Sequence, residues 1–265
     1  MNILYIGDVM GEVGVETVEH VLPKLKKEHQ IDLVLAQAEN VSEGKGLKKA
    51  DYERLKAAGV DGFTSGNHTL THKETDELVE DENIPVTRPA NYPEGTAGKR
   101  HKIIETGKGR VAVVSLLGSI VGKDAEKPTD NPLKTADEIL NMLSIDDFAA
   151  IVVNFHGDYS SEKVVIGHYL DGRVTAVIGD HWHVPTNDAR VLPGGTAHIT
   201  DVGMCGVLNS SLGVKYENII NRWRDNLPVK NELETSGPRQ FNAVLIETNS
   251  GNLHASSIKQ IQEIF

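Results

Sequence analysis

Short apolar runs in this chain repeatedly stop at a residue able to ligate a metal, and that recurrence constrains the fold most. Residues 1–6 form a strand-like run that leads to Gly7-Asp8. Residues 33–38 lead to Glu39-Asn40 and the glycine-flanked loop 44–46, and residues 62–65 run into Gly66-Asn67-His68. Between these runs, residues 13–27 show helical spacing, with Val18, Val21, Leu22 and Leu25 on one face. Residues 50–58 make a shorter amphipathic helix stopped by Gly59. Strands alternating with helices in this way predict βαβ units.

The middle of the chain changes character. Residues 101–105 and 110–117 are β-type runs around Gly107-Lys108-Gly109, a hairpin signal, and residues 241–248 and 253–259 predict a second hairpin. Residues 73–81, 133–143 and 161–170 read as helices. Residues 149–155 read as a strand ending at His156, and 174–178 as a strand followed by Asp180-His181-Trp182-His183. No repeat, low-complexity tract or linker intervenes. Residues 1–265 are therefore expected to form one α/β domain, with a mixed sheet or two packed sheets covered by helices.

In α/β folds, ligands collect beyond the carboxyl ends of strands. Carboxylate, amide oxygen and imidazole together suit Fe, Mn, Zn or Mg. Each residue also has a plain structural explanation: Asp8 as a turn or cap, Asn40 and Asn67 in glycine-bearing loops, His156 as a core histidine. His181 and His183 stand two apart on what reads as an extended segment, which would point both rings the same way. Separate caps do not account for ligand types at every strand end; a metal site does.

Other chemistries lack their motifs. The spacing G-x-G-x-x-G is missing after the first strand, and neither a P-loop nor a G-x-S-x-G elbow occurs. The single cysteine, Cys205, excludes an internal disulfide and reads as a packed residue. His72, His101 and His254 lie in polar segments and are expected at the surface. With 27 Lys+Arg against 38 Asp+Glu, the net charge of −11 disfavours long nucleic acid as a partner. No apolar window of about 18 residues occurs, and the first apolar run is too short for a signal peptide. The expectation is a cytoplasmic protein without a membrane partner.

Read in order, Gly7-Asp8, Ala38-Glu39-Asn40, Gly66-Asn67-His68, Phe155-His156 and Gly179-x-His181-x-His183 resemble the blocks of calcineurin-like metallophosphoesterases. A closer resemblance, to the YmdB-like branch, is carried by Gly7-Asp8-Val9-Met10-Gly11, Arg88-Pro89-Ala90-Asn91-Tyr92-Pro93 and Leu170-Asp171-Gly172-Arg173-Val174. Leu192-Pro193-Gly194-Gly195-Thr196-Ala197 and Thr200-Asp201-Val202-Gly203-Met204 complete it, so it spans most of the chain.

The resemblance implies a four-layer α-β-β-α sandwich with two mixed sheets and a binuclear metal centre, iron or manganese. By matching position, Asp8, Asn40 and His183 would hold one ion and Asn67, His156 and His181 the other, with Glu39 bridging and His68 as general acid. The implied reaction is hydrolysis of small phosphodiesters, 2′,3′-cyclic nucleotides in particular, by a metal-bridged hydroxide. A phosphomonoesterase or RNA nuclease on the same metals is the alternative, as is a metal-dependent nucleotide sensor with weak hydrolysis. A homo-oligomer is left open. The sequence departs from the branch at Gly157-Asp158-Tyr159 and at Asp180 and Trp182. Trp182 would either stack on a base or face the core, and the core is the expectation. Asn91, Tyr92 and Asp201 are expected in plain turns.

Overall fold

A computed structural model describes residues 1–122, 125, 127–249 and 251–265. The first part of the chain supplies β1 (Asn2–Ile6), β2 (Asp8–Val9), α1 (Gly11–Glu28), β3 (Leu33–Gln37), α2 (Lys49–Ala58), β4 (Gly62–Thr64) and α3 (Lys73–Glu80). Next come β5 (Lys102–Thr106), β6 (Gly109–Leu117), α4 (Pro132–Met142), β7 (Ala150–His156), α5 (Ser160–Tyr169) and β8 (Ala176–Asp180). The chain closes with β9 (Arg190–Val191), β10 (Ala197–Ile199), β11 (Met204–Val207), α6 (Tyr216–Asp225), β12 (Arg239–Thr248) and β13 (Ala255–Ile264).

These strands build two mixed sheets. The seven-stranded sheet runs β2-β11-β12-β1-β3-β4, with β13 on the other edge of β12; β1, β3 and β4 are parallel to one another. The six-stranded sheet runs β5-β6-β7-β8-β10-β9, with β6, β7, β8 and β10 parallel. Side-chain alternation separates the layers. Ile3 and Tyr5 of β1 pack between the sheets with Val111, Val113, Val152 and Ile178. Their neighbours Leu4 and Ile6 face the opposite way, onto Val18 and Leu22 of α1 and Leu55 of α2. In the second sheet, Val114 and Val153 turn outward onto Ile139 of α4 and Ile166 of α5. The result is the expected α-β-β-α sandwich.

Both expected hairpins are present, as β5-β6 and β12-β13. Gly59 ends α2 with φ +109°, the left-handed conformation that glycine adopts freely. The sequence did not announce β2, β9, β10, β11 or α6. Among the described residues, no helix is long and apolar enough to cross a membrane.

Candidate metal centre

The parallel strands β1, β3 and β4 of one sheet and β7 and β8 of the other bring their carboxyl ends to one place. There Asp8, Glu39, Asn40, Asn67, His68, His156, His181 and His183 assemble, although they are spread over most of the chain. Glu39 Oε1 lies 3.0 Å from His156 Nε2 and 3.4 Å from His68 Nδ1, while its Oε2 accepts the His68 backbone N–H at 2.9 Å. Asn67 Oδ1 is 2.9 Å from His156 Nε2. Asn40 Nδ2 donates to Gly44 O and lies 3.2 Å from His68 Nδ1. Gly66 is held to glycine, because a Cβ there would lie only 2.3 Å from His156 Cδ2 and 2.5 Å from Glu39 Oε2.

His156 has a partner that sequence reasoning missed. Asp180 ends β8 directly beside His156 at the end of β7, and its Oδ1 is 2.7 Å from His156 Nδ1. Its Oδ2 accepts from Tyr5 Oη at 2.9 Å, from Gln37 Nε2 at 3.0 Å and from Asn154 Nδ2. A carboxylate on one imidazole nitrogen fixes the ring so that the other can serve as a ligand. Burial works against charge on His156, but Glu39 and Asp180 outweigh it and hold its pKa well above the ordinary value. Glu39 is likewise held well below the carboxylate range: His156 and His68 overcome the effect of its burial.

His181 and His183 reach the site by a different route from the one expected. They are not on an extended segment: their φ values are +96° and +62°, in a turn after β8. Such angles are costly for non-glycine residues and persist where the surroundings impose them. Here Asp201 Oδ2 accepts the Trp182 backbone N–H at 2.9 Å, Asp8 Oδ2 accepts that of His181 at 3.3 Å, and the buried Lys163 ammonium donates to Asp180 O. Lys163 and Asp201 themselves pair at 2.8 Å with no exposure of either side chain. His183 Nδ1 bonds to Leu212 O at 3.1 Å, which leaves Nε2 to face Asp8 Oδ1, 3.7 Å away. Burial pushes the pKa of both histidines down to about 4, with the charge on His156 adding to the effect at His181. Both rings are neutral at pH 7, the form that ligates metal.

These donors suit cations. Among the described residues, Asp8 Oδ1 and Asn40 Oδ1 are buried without a hydrogen-bond partner, an arrangement that is costly unless something else answers them. Burial, reinforced by Asp180, pushes the Asp8 pKa well above the usual range, as for a carboxylate waiting for positive charge. Donor atoms of Glu39, His156 and His181 lie within 4.8 Å of one another, as do those of Asp8, His156 and Asp180. Two oxygens crowd His156 Nε2, whose proton a metal could replace.

Trp182 differs from expectation. It is half-buried on a cavity of about 520 Å³ that Glu39, Asn40, His68, Asp158, His181, His183, Val184 and Leu212 also line. Asp158 Oδ1 lies 3.3 Å from His181 Nε2. Asn91 and Arg88 are structural: Asn91 clamps both backbone groups of Leu117, and the Arg88 guanidinium donates to the carbonyls of Pro89, Thr96, Ala97 and Gly98. Cys205 is buried and its thiol is pushed up to about 12 by burial, as for a packed residue. His72, His101 and His254 are partly buried rather than at the surface.

Two packed mixed sheets with polar donors at their strand ends define the calcineurin-like phosphoesterase fold. The calcineurin-like phosphoesterase YfkN from Bacillus subtilis aligns with a TM-score of 0.56 at 13% identity, over 99% of this chain and 90% of that one. At that distance the likeness is one of fold. The chain belongs to the YmdB-like protein family, whose sequence profile matches residues 4–261. It is 38% identical over 262 residues to the 2′,3′-cyclic-nucleotide 2′-phosphodiesterase of Bacillus subtilis (strain 168), covering 98% of this chain and 96% of that protein. A crystal structure described as a novel phosphatase from Mycoplasma pneumoniae aligns with a TM-score of 0.91 at 32% identity, over 100% of this chain and 93% of the other. A protein from Thermus thermophilus, described as hypothetical, aligns at 0.90 and 38%, covering 100% and 99%. The chain is an enzyme whose family relatives are named as a phosphodiesterase and a phosphatase, and its fold is that of the calcineurin-like phosphoesterases.

Proposed function

We propose that this protein hydrolyses small phosphodiesters, 2′,3′-cyclic nucleotides foremost, at a centre for two ions of iron or manganese. Asp8, Asn40 and His183 would hold one ion and Asn67, His156 and His181 the other, with Glu39 between them. When bound, such a pair activates the nucleophile and stabilises charge at phosphorus. The protein's own part is to hold the ligands, shape the cavity and move one proton.

That proton belongs to His68. Its ring lines the cavity and is about one-fifth exposed, so a substrate oxygen can reach it. The Asn40 amide also donates to Gly44 O, so its Nδ2 cannot be exchanged with Oδ1 without losing that bond. That leaves His68 Nδ1 between the Asn40 amide and Glu39 Oε1, and Nε2 as the ring atom that could pass a proton to the leaving alkoxide. Long RNA would meet the net charge of −11 outside the centre, which favours small substrates.

The observation that carries this reading is the pair of unanswered buried oxygens on Asp8 and Asn40 beside two neutral imidazoles. The family relatives supply the substrate class. The test is metal content measured together with hydrolysis of 2′,3′-cAMP, 3′,5′-cAMP and a chromogenic diester, before and after chelation. Two metals per chain and chelator-sensitive cleavage are expected. His68→Ala should keep both metals and lose about 10²–10⁴ in kcat. Metals without cleavage of any diester would favour a monoesterase or a sensor, and unaltered turnover in His68→Ala would defeat the acid assignment.

A further inference from the structure

The Trp182 indole is held in place from two directions. The Lys163 ammonium lies 4.1 Å from the ring centroid and is completely buried, so it covers the inner face. Nε1 donates to Asp158 O at 3.0 Å, which pins the edge. Lys163 is in turn fixed by Asp201 and by Asp180 O, so the ring has no easy way to swing. What remains of its surface lines the cavity that holds the candidate metal ligands.

That cavity is lined by two kinds of group. One is polar: Glu39, Asn40, His68, Asp158, His181 and His183. The other is apolar, with Val184 at 55% and Leu212 at 47% exposure on the same cavity as Trp182. Exposed large aliphatics beside an aromatic ring raise the free energy of the empty protein and are relieved by a flat apolar ligand. A phosphate alone would leave the apolar part unused. A ligand carrying both a phosphate and an aromatic group would use both parts.

We propose that Trp182 is a preorganised stacking platform for the substrate's nucleobase, with Val184 and Leu212 forming the apolar edge of the same seat. The proposal rests on the phosphodiesterase reading for the identity of the ligand. Stacking tolerates any base, because every base presents a π-face. The cation beneath the ring strengthens the platform by removing the freedom a lone indole would lose on binding. Asp180 and Trp182 thus serve separate ends: Asp180 fixes the His156 ring and Trp182 receives the base.

The chain has two tryptophans, and Trp223 on α6 is 80% exposed and outside the cavity. In Trp223→Phe protein loaded with Mn²⁺, 2′-AMP or 3′-AMP should quench the fluorescence of Trp182, while ribose 5-phosphate should leave it unchanged. In turnover, Trp182→Thr should lower the kcat/KM preference for 2′,3′-cAMP over base-free cyclic glycerol 1,2-phosphate about tenfold. Trp182→Phe, which keeps a ring, should hold that preference within about threefold. Equal quenching by ribose phosphate, or an unchanged preference in Trp182→Thr, overturns the platform even if both diesters are cleaved. Base-dependent quenching in a protein that cleaves neither diester would sustain the platform and overturn the phosphodiesterase reading instead. If Trp182→Thr fails to fold, the quenching series and the Phe variant still decide.

Discussion

Around His156 the hydrogen bonds close on themselves; around Asp8 they stop short. Asp180, which holds His156, is answered by Tyr5, Gln37 and Asn154 as well, and His156 Nε2 meets both Glu39 and Asn67. On the other side, Asp8 Oδ1 and Asn40 Oδ1 have no hydrogen-bond partner among the described residues, and His183 Nε2 is 3.7 Å from Asp8 Oδ1. One half of the centre is a scaffold that stands without metal. The other half buries acceptor oxygens at a cost in stability, as the proposed metal site requires.

The largest test of this contrast removes the scaffold. Asp180→Ala leaves the Tyr5, Gln37 and Asn154 donors unanswered in the core and frees the His156 ring. Breaking such a buried charged network costs about 3–5 kcal/mol. Urea unfolding of the metal-free protein should show that loss, and metal titration should show the ion at His156 released. Wild-type stability in Asp180→Ala would mean that His156 is fixed by something else.

The role of Asp180 also shows what the sequence could and could not disclose. Strand ends bearing Asp8, Glu39, Asn67 and His156 were visible because each is local: an apolar run followed by a polar residue. Asp180 is equally local, yet its task depends on β8 lying in register beside β7, and nothing nearby in the chain encodes that pairing. The same holds for β2 and β11, whose two-residue match of Met204 with Asp8 and Cys205 with Val9 exists only through tertiary contact. The helix α6 was missed because none of its residues is buried, so no core face marks its period. The His181/His183 pair was identified through the wrong geometry. A period-two argument assumes a strand, whereas both residues take left-handed angles held by Asp8, Asp201 and Lys163.

At the Asp8 half, substitution should have the opposite sign. An unfolded Asp is ionised above a pH of about 4, whereas buried Asp8 has its pKa raised. The metal-free native state therefore holds more protons at this group than the unfolded chain, and its stability falls as pH rises above the unfolded value. Asp8→Asn removes that slope and should stabilise the metal-free protein at pH 7 by about 1 kcal/mol, while one of the two metal equivalents is lost. Chemical denaturation at pH 5 and pH 7, with and without metal, reads both effects. A metal-free variant less stable than wild type at pH 7 would show that Asp8 is already satisfied.

The smallest effect is expected where the scaffold principle recurs in water. Asp158 stands to His181 as Asp180 stands to His156, but at 3.3 Å rather than 2.7 Å, and with 23% of its side chain exposed rather than none. Its Oδ2 also accepts the Val121 backbone N–H at 2.7 Å, so the carboxylate is positioned without help from the histidine. Because burial keeps His181 neutral at pH 7, the contact is the approach of a carboxylate to an uncharged ring rather than an ion pair. Asp158→Ala should change stability by less than about 1 kcal/mol. Loss of an outer partner of a ligating histidine weakens metal binding by about 10–100-fold, and this partly exposed one belongs at the lower end. Competition with a chelator at pH 7 measures that change. Tighter binding in Asp158→Ala would reverse the role: the carboxylate would then be competing with the ion for His181 Nε2 instead of orienting the ring.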